Sequence, residues 1–143
     1  MRTQTILYLL FVTFIITIIF TNKIQAGGKL QLDSRGIWVL KKMDATDKFF
    51  YKKQVYLKFE SQGRVVGYGG CNSIEGAYTL VKSQNTIRIH SIGHTELLCE
   101  DIEQEFNFIK TIEKARRYKI SGNHLTLTTD SGKELIFRHR QKP

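Results

Sequence analysis

Apolar and polar residues alternate in short runs along most of the chain, which is the pattern of half-buried β-strands. In the clearest run, residues 55–60, the side chains of Val55, Leu57 and Phe59 alternate with those of more polar neighbours. Turn residues such as Gly122-Asn123 separate the runs. The pattern predicts eight short strands, at residues 37–40, 55–60, 64–66, 76–80, 86–90, 118–120, 125–128 and 134–137.

One segment late in the chain has the periodicity of a helix. We predict a helix from about Asp101 to Ala115, with acidic residues in its first turns and basic residues at its end, as the helix dipole favours. Its apolar stripe is formed by Ile102, Phe106, Ile109 and Ile112 and is widened by Phe108 and Ala115. We expect this stripe to pack in the core, so that Phe106→Ala costs about 3–5 kcal/mol.

Eight consecutive strands with a lone helix favour a small barrel or sandwich over repeated βαβ units. The helix is expected to plug or flank the sheet, because only one of its faces is broadly apolar. A length of 143 residues allows one ordinary domain.

The first 26 residues have the layout of a secretory signal peptide. Arg2 gives a positive start, residues 6–20 are apolar apart from two threonines, and Ala26 is a small residue at the cleavage position. An apolar helix of that length spans ~22 Å, short of the ~30 Å hydrocarbon core, so cleavage is favoured over an uncleaved anchor. We therefore expect residues 27–143 to form a single exported domain, periplasmic or secreted, with a membrane-anchored form as the less favoured alternative.

The chain is basic, with 22 Lys+Arg against 13 Asp+Glu and a formal net charge of +9. An exported protein rarely meets nucleic acid, so an anionic envelope surface is the favoured partner and nucleic acid is not expected. The basic clusters are Lys41-Lys42, Lys52-Lys53, Arg116-Arg117 and residues 138–142.

Two cysteines, Cys71 and Cys99, lie 28 positions apart. In an oxidising compartment their expected state is a disulfide, which would tie the start of the helix to the sheet. The alternative is a nucleophilic Cys71 with His90 or His94 as base. Nothing local supplies the cation that would depress the thiol pKa, so catalysis is disfavoured.

Two further kinds of site are disfavoured on spacing. His90, His94, Glu96 and Cys99 are too loosely spaced for a closed zinc site. The glycine-rich stretch at residues 67–72 lacks the third glycine and the βαβ setting of a dinucleotide fingerprint. We therefore expect no catalytic residue, metal or cofactor.

A set of residues spread along the chain recurs in one known family. In chain order they are Trp38, Gly70, Cys71, Asn72, Gly76, Tyr78, Thr95, Cys99, Glu105, Phe108, Tyr118, Gly122, Leu125 and Leu127. Over roughly residues 36–138 the chain thus resembles the META domain family of HslJ-like heat-shock and envelope proteins. It departs from the family in having Leu97-Leu98 where Met-Ala is common, which we interpret as neutral packing. No lipoprotein cysteine follows the leader either.

The resemblance implies a mostly β, α+β fold: a partly open antiparallel β-barrel of about eight strands with one helix, similar in shape to pilotins. Family members are associated with heat shock, antibiotic tolerance, motility or secretion, and with no defined reaction. We expect a monomeric, non-enzymatic envelope binding or stress-tolerance module whose partner is an envelope protein or an anionic surface. The alternative is a lipid or apolar-ligand carrier, or a pilotin-like secretion accessory, that uses a hydrophobic cavity in the open barrel.

Overall fold

The computed structural model describes residues 31–32, 36–43, 53–100 and 102–141. The leader with its cleavage position Ala26 lies outside the described residues, as do Lys52, Asp101 and Lys142. Over the described ranges, the structure contains no helix with the length and hydrophobicity that a membrane crossing requires.

Eight antiparallel strands follow one another around a closed barrel, each paired with the next and the last with the first. The expected mostly β fold with one helix is confirmed, although the barrel is closed where a partly open one was expected. In chain order the elements are β1 (Ile37–Met43), β2 (Tyr56–Phe59), β3 (Arg64–Tyr68), β4 (Ser73–Val81), β5 (Thr86–His94), α1 (Ile102–Glu113), β6 (Ala115–Ser121), β7 (His124–Thr129) and β8 (Glu134–Arg140).

The helix lies where the barrel is least tightly closed. Between β5 and β6, the pair Thr86 and Arg117 is in register, and the Tyr118 amide donates to the Asn85 carbonyl at 2.9 Å. Beyond this point the two strands separate, and α1 packs against β5 and β7. The helix therefore lies beside the most weakly paired strands and contributes Phe108, Ile109 and Ile112 to the core.

Side chains fill the inside of the barrel. The inward-facing residues of different strands pack into one apolar cluster, in which Trp38, Leu57 and Phe137 are at most 1% exposed. The indole nitrogen of Trp38 donates to the Leu32 carbonyl at 2.9 Å, which satisfies the one polar atom of that side chain. Because these positions are occupied, the packing gives no support to the lipid-carrier alternative.

The buried face of α1 agrees with the predicted stripe at Phe108, Ile109 and Ile112 and differs from it at Phe106. Its buried residues are Glu105, Phe108, Ile109, Thr111 and Ile112. Phe106 is 42% exposed, so the expectation that it lies in the core was wrong. Successive residues lie about 100° apart around a helix, and turning Glu105 inward therefore turns Phe106 outward. The helix also ends at Glu113, so that Ala115, Arg116 and Arg117 belong to β6 rather than to the helix end.

The two phenylalanines of α1 provide a matched test of this orientation. Phe108→Ala should lower the free energy of unfolding by about 3–5 kcal/mol, because it opens a large cavity in a packed interior. Phe106→Ala should cost less than about 1 kcal/mol, because its ring is half exposed. Urea denaturation of both variants measures the difference. Equal losses would contradict the observed orientation of the helix.

Candidate functional site

The loop between β3 and β4, residues 69–72, is a tight turn that requires glycine at two positions. Gly70 has a φ of 114°, which side-chain-bearing residues rarely adopt. At Gly69 a Cβ atom would lie 2.5 Å from a carboxylate oxygen of Glu105. The Gly69 amide also donates to the Asn72 carbonyl at 2.8 Å. The glycines thus bring the loop backbone close to the first turn of α1.

The carboxylate of Glu105 binds this loop, although its side chain is 0% exposed. Its Oε2 accepts from the backbone amides of Cys71 at 2.9 Å and Asn72 at 2.6 Å. Its Oε1 accepts from the Asn72 side-chain Nδ2 at 2.7 Å. A buried carboxylate is costly unless it is hydrogen-bonded, and here three donors compensate for its lost hydration.

Asn72 links the Glu105 carboxylate to residues 95–99, the segment that precedes the helix. Its Oδ1 accepts from the Thr95 hydroxyl at 2.7 Å and from the Leu97 amide at 2.8 Å. Its Nδ2 donates to the Leu97 carbonyl at 3.2 Å as well as to Glu105. Both amide protons and both lone pairs of this fully buried side chain are therefore used.

The disulfide between Cys71 and Cys99 closes the same arrangement covalently. The Cα atoms are 5.9 Å apart, within the range that a disulfide requires. Cys71 is 2% exposed, whereas Cys99 lies at the surface. Residues 95–99 are thus fixed at Thr95 and Leu97 by Asn72 and at Cys99 by the disulfide.

Residues 95–99, which we call the braced segment, expose apolar side chains to solvent. Leu97 is 61% and Leu98 95% exposed, so the interpretation of this pair as neutral packing was wrong. On the first turns of α1, the exposed ring of Phe106 stacks edge-on against His94, with centroids 5.6 Å apart. We call Leu97, Leu98 and Phe106 the leucine patch.

An open groove of about 520 Å³ adjoins the braced segment at His94 and Thr95. Its floor includes the backbone of Gly67 and Gly93, and its rim includes Glu75 and Arg64. Arg64 donates to Glu75 at 2.8 Å and to Glu60 at 2.7 Å. The hydrogen bond and charge of Arg64 lower the pKa of Glu75, which keeps this carboxylate ionised at the rim.

The outer face of β6, β7, β8 and β1 is basic. Lys119, Thr126, Ile136 and Lys42 form one register row across the four strands. Arg117 and Arg138 are exposed in the flanking rows. We call Lys42, Arg117, Lys119 and Arg138 the basic face; within the described part of these strands, Glu134 is the one acidic residue.

The cysteine nucleophile, phosphate-binding loop and zinc site considered from the sequence are not assembled among the described residues. The Cys71 sulfur is bonded to Cys99, and the loop amides that an anion would need are bound to Glu105. His90 contacts the Ser91 hydroxyl at 3.1 Å, and His94 contacts the Thr95 carbonyl at 2.8 Å. Across the ranges that the structure covers, no three His, Cys, Asp or Glu side chains gather as metal ligands would.

The remaining motif residues form turns, a bulge and part of the barrel core. The Tyr78 hydroxyl donates to the Glu60 carbonyl at 2.8 Å, and Gly76 lies at a bulge of β4. Gly122, with a φ of 55°, turns the chain between β6 and β7. Leu125 and Leu127 are buried in the barrel core, and Tyr118 packs against it.

Sequence reasoning named Glu105 as a motif residue and as an acidic residue of the helix start, but missed its role as a buried hydrogen-bond acceptor. A signal was available, because Glu105 stands three and four positions before Phe108 and Ile109 and so shares their buried face. A carboxylate on the core face of a helix indicates a buried polar network. Asn72 and Thr95 were named as motif residues, and the structure joins them to it.

Comparisons with known proteins agree with this architecture. The family model of the META domain matches residues 29–142, which confirms the resemblance inferred from the sequence. Among curated proteins, none matches the chain.

Two solved structures have a similar fold. An NMR structure of a protein from Burkholderia xenovorans has a TM-score of 0.64 and 19% identity, covering 78% of this chain and 86% of that one. The crystal structure of a DUF4847-family protein from Bacteroides vulgatus has a TM-score of 0.58 and 15% identity, covering 78% and 96%. At these identities the likeness shows the fold alone.

Replacing Glu105 tests the buried network. In Glu105→Gln, the new amide group would face the Asn72 Nδ2 donor or the loop amides, leaving donors unpaired. We expect a loss of about 1–3 kcal/mol in the free energy of unfolding. The exposed Glu103→Gln, in the same helix, should change it by less than about 0.5 kcal/mol. Denaturant titration compares the two variants. Similar losses in the free energy of unfolding would show that the buried carboxylate stabilises the fold no more than the exposed one does.

Removing the disulfide tests the covalent brace. Cys71→Ala combined with Cys99→Ala should lower the free energy of unfolding by about 3–4 kcal/mol, from the entropy of the loop that the bond closes. A reducing agent should shift the wild-type unfolding midpoint toward that of the variant and leave the variant unchanged. A wild-type midpoint that does not respond to reductant would contradict the role of the bond.

Proposed function

The chain belongs to the META domain family, and from that premise we propose that it is an exported, non-enzymatic module that binds the cell envelope and supports stress tolerance. Export is supported by the Cys71–Cys99 disulfide, since such bonds persist in oxidising compartments. The signal-peptide pattern that ends at Ala26 supports the same location. On this proposal the protein is a periplasmic or secreted monomer.

The state of the reactive groups supports binding rather than catalysis. Cys71 has no free thiol, and the Glu105 carboxylate is fully buried with its oxygens engaged. A general base must reach a proton on a substrate, and a carboxylate that solvent cannot touch does not. These motif residues shape the surface around residues 95–99 instead of acting on a ligand.

The basic face is the observation that carries the proposal. Arg117, Lys119 and Arg138 are exposed on neighbouring strands, with the threonines of β7 between them. A basic residue held near an anionic bilayer contributes about 1 kcal/mol, so several on one face give a useful affinity. The interleaved aromatics that single-stranded nucleic acids stack on are absent from the described outward positions of β6 and β7. An anionic envelope surface therefore fits this face better than nucleic acid does.

Charge reversal on the basic face should weaken binding to anionic vesicles. For Arg117→Glu with Lys119→Glu, the apparent affinity for phosphatidylglycerol-containing vesicles should fall at least about tenfold, because two favourable contacts become repulsive. Wild-type binding should also weaken as salt is raised from low to physiological strength. Vesicle co-sedimentation measures both effects.

A matched control variant distinguishes the effect of the basic face from the effect of net charge alone. Lys82→Glu with Lys110→Glu changes the net charge by the same amount at exposed positions outside the basic face. Its vesicle affinity should stay within about threefold of wild type, since surface charges away from the contact are largely screened. Equal weakening by the two pairs, or no wild-type preference for anionic over neutral vesicles, would refute the proposed role of this face.

A further inference from the structure

The leucine patch is an unusual concentration of exposed apolar surface. Four large apolar residues are exposed in the part of the chain that the structure describes, and three of them, Leu97, Leu98 and Phe106, lie on residues 95–99 and the first turns of the helix that follows. The fourth, Val81, stands alone at the end of β4. Single exposed apolar residues are ordinary, but several together mark an interaction site.

The patch is held in place by groups other than its own side chains. Leu97 is bound to Asn72 through its backbone amide and carbonyl, and Cys99 is fixed by the disulfide. The leucine side chains therefore contribute little to the brace that displays them. A surface fixed in advance loses little conformational entropy when a partner binds, which favours affinity.

The charge around the patch is opposite to that of the whole chain. Residues 89–109 contain five of the 13 acidic residues and no Lys or Arg, in a protein with a net charge of +9, and Lys110, one helical turn after Phe106, is the first basic residue that follows them. Of these acids, Glu96, Glu100 and Glu103 are exposed in the structure, and Glu105 is buried. Such a rim repels an anionic bilayer and attracts a cationic partner.

The adjoining groove extends this surface. A Cβ atom on Gly93 would meet nothing within 4 Å, so the groove is open above that backbone. Glu75 is paired with Arg64, and Glu60 with Arg64 and Lys58, so these charges balance one another beside the groove. The groove therefore adds open space next to the patch, and the acidic charge comes from Glu96 and Glu103.

We propose that the leucine patch and the adjoining groove bind a segment of a second protein that carries apolar side chains interspersed with lysine or arginine. The apolar side chains would cover Leu97, Leu98 and Phe106, and the cations would face Glu96 and Glu103. This surface lies at β4, β5 and α1, whereas the basic face centres on β7 and β8 across the barrel. The inference thus goes beyond the envelope-surface role and is independent of it.

The test uses synthetic peptide probes and the purified protein. One probe is a short amphipathic peptide of leucine and lysine, and its counterpart has glutamate in place of lysine. Isothermal titration calorimetry should show binding of the leucine–lysine peptide, with affinity at least about tenfold lower for the leucine–glutamate peptide, because like charges oppose contact. Equal binding of the two peptides would overturn the cationic character of the partner.

Three variants locate the binding surface. Leu97→Ser with Leu98→Ser, and separately Glu96→Lys with Glu103→Lys, should each lower affinity for the leucine–lysine peptide at least about tenfold. Gly93→Leu should also lower it, because its Cβ has open space and the larger side chain would occupy part of the groove. Val81→Ser, the matched control at the isolated exposed residue, should leave affinity within about twofold of wild type. All variants should keep the wild-type unfolding midpoint.

A second copy of the chain or a lipid bound at the leucine patch would give different results in these experiments. If wild type forms a dimer in sedimentation analysis that Leu97→Ser with Leu98→Ser dissolves, the patch binds a second copy and the proposal fails. If that variant loses vesicle binding but keeps peptide binding, the patch contacts lipid and the proposal also fails. Arg117→Glu with Lys119→Glu should bind the peptide as wild type does, so failure of this inference is distinguishable from failure of the envelope-surface proposal.

Discussion

The buried carboxylate of Glu105 is the interaction on which the functional surface depends. Removing a carboxylate from water costs several kcal/mol, and only a full set of donors makes it tolerable. The structure supplies them from two loop amides and the Asn72 side chain. Because those donors belong to the β3–β4 loop, the helix cannot take its place unless the loop also takes its shape. One interaction thereby couples the helix to the sheet.

The remaining features follow from that coupling. Gly69 must be glycine because the carboxylate lies where a Cβ atom would be. Glu105 positions the Asn72 side chain, and the Oδ1 of Asn72 then accepts hydrogen bonds from Thr95 and Leu97. The disulfide then joins the same loop to residue 99. A hydrogen-bonded network and a covalent bond thus act on one segment, and the result is a rigid surface rather than a reactive centre.

Much of this architecture was predictable, because it follows from local patterns. The alternation in β2 and the consecutive strand runs indicated a barrel or sandwich with one helix, the family resemblance implied its antiparallel order, and the cysteine count indicated the disulfide. The predicted helix face was right at Phe108, Ile109 and Ile112 and wrong at Phe106, because a periodicity argument treats glutamate as an outward residue and phenylalanine as an inward one. Glu105 and Phe106 reverse that rule, since partners distant in sequence satisfy the carboxylate. Likewise, the exposure of Leu97 and Leu98 depends on the path of residues 95–99, which Asn72 fixes from the β3–β4 loop.

The functional surface depends on the Glu105 carboxylate holding the loop amides of Cys71 and Asn72 in the native state. Amide hydrogen exchange followed by NMR measures this directly, because a buried hydrogen-bonded amide exchanges only when its region opens. We expect both amides to be protected as strongly as those of Leu57 and Leu127 in the barrel core. Exchange of the Cys71 and Asn72 amides at the rate of an exposed loop would contradict this role of Glu105.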